Sequence, residues 1–402
     1  MDKIPLEILR HILSDLEDIL PSFKDLAHYV SRSSAEETLN EFDAIFSDTR
    51  RRYLLKELRL VVEFPSQDRY QKIQRNRRTA ETNAVYTKAV YALFTRLEGW
   101  SSISEDPETA PSFRFAIYSY PPTIPEAHNQ NRHDDLAYKY VEFDGLQELP
   151  AVSCVCEFSN SENHHPSTLA VLYKALPRLR LLCLELPPAA PRGLLAQRVG
   201  MRNSLASTLL ESDFSTLERL DVHLEDYDPM NETWKPKNLL DSSGNDRLSL
   251  AVNRVSKLPR LESLELYGCF AFSPAVFDLP SNEDTNAWKS LEYLTLEVSM
   301  ATPVGGWYFT GDHPLADIES DSDMETDPTD AITSDLVPAI DWDVLDGEKP
   351  EVRFRYHPDP TTFNPFITAM ARAVVRMSAL KEFICRFPQK AIIYYYGPGV
   401  IR

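Results

Sequence analysis

Cysteine, glycine and long apolar runs are all scarce in this chain, and each scarcity closes off a class of protein. The five cysteines (Cys154, Cys156, Cys183, Cys269, Cys385) are scattered through apolar segments with no C-x-x-C pair. That pattern suits reduced core thiols in the cytoplasm or nucleus better than a disulfide framework. Twelve glycines in 402 residues leave little material for phosphate-cradling turns. The chain has no G-x-S-x-G, no H-E-x-x-H and no glycine-rich loop followed by Lys. His164-His165 sits in a polar loop with no cysteine at metal-site spacing. No apolar run approaches the length of a membrane span. Glu7, Arg10, His11, Asp15, Glu17 and Asp18 are too many charges for a signal peptide. The expectation is a chain with no catalysis of its own, no cofactor, no metal and no membrane partner.

Positive charge is also short. Lys and Arg number 42 against 61 Asp and Glu, a net charge of −19. Such a balance argues against nucleic acid, whose phosphates need clustered cations. Thirteen of the acids lie between Asp312 and Glu348 without one Lys or Arg, so about six excess negative charges remain on the rest. This insert, at about 312–348, has too little apolar content to fold and is expected to be disordered. Its Asp321, Asp323, Glu325 and Asp327 alternate, but no central Gly completes a calcium loop. Ser320 and Ser322 lie among acids, where phosphorylation would deepen the field. A basic run holds Arg69, Lys72, Arg75, Arg77 and Arg78; it reads as a solvated stretch or a weak nuclear-localisation patch.

What the chain does have is a composition of 43% hydrophobic and 26% charged residues, enough to bury one large core or two smaller ones. Residues 2–52 look helical, residues 80–97 have helical spacing, and FRFAIYSY at 113–120 alternates as a strand. From about residue 145 a repeat of the form L-x-x-L-x-[LV] appears. It holds Leu179/Leu182/Leu184, Leu217/Leu220/Val222, Leu261/Leu264/Leu266 and Leu291/Leu294/Leu296. An early copy holds Leu55, Leu58 and Leu60, and a degenerate late one Leu380, Phe383 and Cys385. Each copy places two apolar residues on one face of a short strand and tucks a third into the preceding turn. Helical patterns at 167–177, 194–212 and 248–259 supply the returns. The spacing is too uneven for a regular leucine-rich repeat. The fold expected is α/β: an irregular leucine-rich-repeat-like solenoid with parallel strands over residues 53–402, interrupted by the acidic insert.

The N-terminal stretch IPLEILRHILSDL carries Ile4-Pro5, Glu7-Ile8 and Ile12-Leu13, with Leu16 following; DLAHYVSR then supplies Asp25, Leu26, Val30, Ser31 and Arg32. In this position the segment resembles an F-box. More widely the chain looks like fungal F-box-like proteins with irregular leucine-rich C-terminal domains. The resemblance implies a helical module at 1–52 that docks on the Skp-family adaptor of a cullin–RING ubiquitin ligase. Ile4, Pro5, Leu6, Ile8, Leu9, Ile12 and Leu13 would meet the adaptor. The repeat domain would hold an unknown protein substrate while other subunits transfer ubiquitin.

Alternation then names the outward residues of the repeat strands: Leu181, Cys183 and Glu185; Arg219, Asp221 and His223; Ser263, Glu265 and Tyr267; Tyr293, Thr295 and Glu297. Asp221, Glu265 and Thr295 should form one column, and His223, Tyr267 and Glu297 the next. Aromatics among charges are plausible anchors for a protein partner. The alternative is a non-catalytic scaffold that binds proteins without a ubiquitin ligase.

Overall fold

The structure is a computed structural model. It describes residues 28–31, 35–63, 74–101, 112–120, 140–144, 148–160, 164–186, 194–224, 226–278, 287–312, 344, 346–388 and 390–397. Ile4, Pro5, Leu6, Ile8, Leu9, Ile12 and Leu13 lie outside these residues, as does nearly all of the acidic insert. The chain is a mixed α/β protein divided into two compact units. The first draws on residues 1–128, 141–161 and 174–179, and so runs across position 52; the second draws on the remainder.

The first unit holds strands β1 (His28–Ser31), β2 (Glu57–Glu63), β3 (Phe113–Tyr120) and β4 (Val155–Asn160), with helices α1 (Ala35–Ile45), α2 (Thr49–Leu54) and α3 (Gln74–Ser101). The strands run parallel in chain order, Tyr29 facing Leu60 and Leu58 facing Phe115. The strand expected at 113–120 is present, and the helix expected at 80–97 is longer by a turn or more at its N-terminal end. His28–Ser31 corrects the helical expectation for residues 2–52. This stretch joins Tyr and Val, residues that fit a pleated surface, and pairs with β2. The core is aromatic: Phe42 stacks on Trp100 at 5.4 Å, Trp100 meets Phe113 edge-on, and Phe115 lies between Phe94 and Phe158.

In the second unit α4 (Pro166–Lys174) precedes β5 (Leu181–Leu186). Then follow α5 (Leu195–Glu211), β6 (Arg219–Leu224), α6 (Arg247–Ser256), β7 (Ser263–Phe270), a 3-10 turn (Pro274–Phe277) and β8 (Tyr293–Val298). Strands β5, β6, β7 and β8 are parallel neighbours. Two short strands, β9 (Phe309–Thr310) and β10 (His357–Pro358), pair antiparallel. Beyond them α7 (Phe363–Val374) leads into β11 (Glu382–Phe387), parallel to β8, and β12 (Ala391–Tyr396) returns antiparallel to β11.

All six leucine triplets are buried, from Leu55, Leu58 and Leu60 to Leu380, Phe383 and Cys385, none more than 7% exposed. Burying a Leu side chain is worth roughly 1.5–3 kcal/mol, so these positions specify which strand face points inward. The residue after the first Leu of each triplet has a second duty. The carbonyl of Arg180 accepts the N–H groups of Glu218 and Arg219. That of Glu218 accepts Glu262 and Ser263, that of Glu262 accepts Glu292 and Tyr293, and that of Glu292 accepts Lys381 and Glu382. One repeat position thus keeps every strand of this series in register with the next.

Two buried ion pairs hold the loops. Glu232, 0% exposed, lies 2.7 Å from Lys390 and accepts the backbone N–H groups of Phe354 and Arg355. Asp246 caps α6 by accepting from Ser249, and it pairs with Arg202 and accepts from the Ser273 N–H. Both carboxylates would be raised by burial, yet these cations and donors outweigh it and hold both below the ordinary range. At the end of the insert, Gly347 is buried against Trp234 and its carbonyl accepts the Asn231 N–H.

Candidate functional site

Strand alternation turns one face of β5–β8 and β11 to the leucine core and leaves the other for function. The register aligns the outward residues in rows across the strands. One row reads Leu181, Arg219, Ser263, Tyr293, Glu382, Tyr396; the next reads Cys183, Asp221, Glu265, Thr295, Ile384, Tyr394. The column expected from alternation, Asp221, Glu265 and Thr295, is therefore present. In the neighbouring one His223 faces Tyr267, their rings stacked at 4.9 Å. The register between β7 and β8 then shifts beyond Leu266. Gly268 makes that bulge with φ +103°, and its N–H donates to Glu297 Oε2 at 2.8 Å. A Cβ there would stand 1.6 Å from the Leu224 carbonyl oxygen, so only Gly suits the position.

The face is laced internally. Arg219 Nε donates to both carboxylate oxygens of Asp221, and its guanidinium lies 3.2 Å from Glu265. Glu265 also accepts from Ser263 and from the Tyr267 hydroxyl. Burial pushes the Asp221 carboxyl above its usual range despite Arg219. Burial and the Glu265 hydrogen bond push the Tyr267 phenol up to about 12. Asp221 and Thr295 are each only 8% exposed, whereas Arg219 and His223 are exposed and Tyr293 is 42% exposed. The sequence-derived set thus divides into a packed floor, Asp221 and Thr295, and a presented layer, Arg219, His223 and Tyr293. Glu265, Tyr267 and Glu297 lie half-buried between the two.

Sequence reasoning missed the continuation of the face. Glu382, Ile384 and Arg386 on β11 point the same way, Arg386 reaching Glu297 at 3.4 Å. On β12, Ile392, Tyr394 and Tyr396 are exposed, and the two tyrosine rings stack at 6.3 Å. The run of β-branched and aromatic residues in AIIYYY of β12 carried a strand signal, but its antiparallel return onto β11 is a long-range fact.

The rest of the unit offers less chemistry. A cavity of about 70 Å³ at the ends of β5–β7 is lined mainly by apolar residues such as Leu205, Leu248 and Phe270. Its guanidiniums are engaged, Arg198 with Asp226 and Arg202 with Asp246. Cys154, Cys269 and Cys385 are buried, and burial raises each thiol pKa, which makes them poor nucleophiles. Among the described residues no group of three or more His, Cys, Asp or Glu is placed to hold a metal, and no helix is long and apolar enough to cross a membrane. Compared with protein-family models, curated proteins and solved structures, the chain matches none.

Proposed function

We propose that this chain is the substrate-receptor subunit of a cullin–RING ubiquitin ligase. Its N-terminal residues dock a Skp-family adaptor, and the leucine-rich unit, an irregular solenoid, binds the target protein. The chain itself performs no catalysis and needs no cofactor. The observation that carries the reading is the outward face of β5–β8 and β11. Arg219, His223 and Tyr293 are presented there on strands whose leucines are committed to the core. A rigid sheet with rigid aromatic and Arg anchors is the anatomy of a protein-binding surface. The F-box-like pattern at Ile4–Arg32 supplies the adaptor half of the reading.

The test is a pull-down with purified Skp-family adaptor, comparing wild type with Pro5→Ala/Ile8→Asp/Ile12→Asp. Circular dichroism checks that the variant is folded. Binding by wild type and its loss in the folded variant is the expected result. Absence of binding by folded wild type overturns the reading.

The rival is a protein-binding scaffold without a ligase. The pairing of His28–Ser31 with β2 favours it, because Val30 and Ser31 of the F-box-like pattern then serve the sheet. The same pull-down separates the two.

A further inference from the structure

We infer that the cavity at the C-terminal ends of β5, β6 and β7 is a binding site for a small neutral aliphatic molecule, with a branched apolar end and one uncharged polar group. The cavity measures about 70 Å³. Leu186 and Leu224, neighbours in register on β5 and β6, continue the inward leucine rows into it. Leu205 of α5, Leu248 of α6 and Phe270 of β7 complete the floor, all three buried. The site therefore lies on the helix side of the sheet and stands apart from whatever docks on the outward face. Open α/β sheets hold ligands at the carboxyl ends of parallel strands, commonly in an apolar pocket with a few polar groups.

Lining and charge decide the occupant. Apolar walls give a hydrocarbon group contacts on every side and give water few partners. An apolar cavity of about 150 Å³ takes benzene, so one half as large has room for about three carbons, an isopropyl end. At the rim Arg198, Met201, Asp226 and Leu239 are half-buried. The two guanidiniums of the lining each face a carboxylate, Arg198 that of Asp226 and Arg202 that of Asp246. Arg202 also donates to the Ala271 carbonyl at 2.6 Å. An anionic ligand would compete with Asp226 for Arg198, and a cationic one with Arg198 for Asp226. A hydroxyl adds no charge to this matched rim and can hydrogen-bond there without parting the ion pair.

The probes are 3-methyl-1-butanol, 3-methylbutanoate and 3-methylbutylammonium, which share one carbon skeleton and differ in charge. Each is titrated against the full chain with its methionine methyl groups labelled for NMR. Met201 is the reporter, its resonance identified by its loss in Met201→Leu. Ala271→Leu fills the cavity and keeps the reporter. Ala271→Val is the gentler filling if the first disturbs the fold, which circular dichroism checks. The expected result is a saturable Met201 shift with the alcohol. Binding should be about tenfold weaker for either ion, and about tenfold weaker for the alcohol in Ala271→Leu. Asp226→Asn should tighten the anion about threefold and leave the alcohol within about twofold.

Absence of a Met201 shift in wild type overturns the proposal, as does an alcohol affinity unchanged by both Ala271 variants. Equal affinity for the three probes removes the neutral class and overturns it too. An anion affinity that Asp226→Asn leaves unchanged overturns the assigned orientation, with the polar end at the rim. None of these outcomes bears on the adaptor reading, which the pull-down tests separately.

Discussion

The two units treat charge differently. Both bury aromatic rings, Phe42, Phe94, Trp100, Phe113, Phe115 and Phe158 in the first and Phe277, Tyr308, Phe366 and Phe387 in the second, and both bury leucine triplets. Among the described residues the first keeps the ion pairs Arg59–Glu57 and Arg96–Asp43 partly exposed. The second also takes charge inside, in Glu232–Lys390 and Asp246–Arg202. The difference follows from what each must hold. A ladder of parallel strands leaves long returns, and apolar burial alone does not orient loops such as 230–234 and 352–355. A buried carboxylate with backbone and cationic donors orients them, at a desolvation cost that only a complete set of partners offsets. Stability in the second unit should therefore depend on pH, and in the first far less.

The largest effects test this directly. Phe158→Ala should destabilise by about 3–5 kcal/mol, by an amount that chemical denaturation finds equal at pH 7 and in mild acid. Lys390→Ala should cost a similar amount, about 3–5 kcal/mol at pH 7, because Glu232 is left buried and unpaired. That penalty should shrink on acidification, as protonation removes the stranded charge. A pH-independent Lys390→Ala penalty would erase the contrast between the units. Next in size is Gly268→Ala. It should cost about 1–3 kcal/mol or more through its left-handed backbone and the approach to Leu224.

Wild-type stability should fall in acid. Glu232 and Asp246 have folded pKa values below their unfolded ones, so the unfolded chain binds more protons. Their stabilisation is complete above the unfolded carboxylate value, about 4, and is lost as pH falls through the folded values. Asp221, whose pKa is raised, opposes this in part, and Asp221→Asn should steepen the acid loss measured by thermal melts. The smallest effect should come from Tyr293→Ala, within about 0.5 kcal/mol of wild-type stability. A larger loss would make Tyr293 a structural residue and weaken its assignment to the docking surface.

Much of the frame was legible because it is local. Leu182 and Leu184, or Leu264 and Leu266, point inward through a period of two that needs no knowledge of the partner strand. The helices Leu195–Glu211 and Arg247–Ser256 follow from apolar spacing in the same way. The sequence places His28–Ser31 in a helical stretch because nothing in four residues reveals that β2 pairs with them. The aromatic row on β12 and the outward residues of β11 escaped for the same reason.

The sequence by itself determined which residues go inside, where the repeats fall and which side of each strand faces out. These depend on the alternation of side chains along a strand and on the free energy of removing apolar surface from water. Only the tertiary structure decided the order of strands, the reversal of β12, the bulge at Gly268 and the partners of Glu232 and Asp246. Each depends on groups far apart in the chain, with Glu232 and Lys390 more than 150 residues apart. Their pairing takes its energy from a dry environment that exists only once the fold has formed.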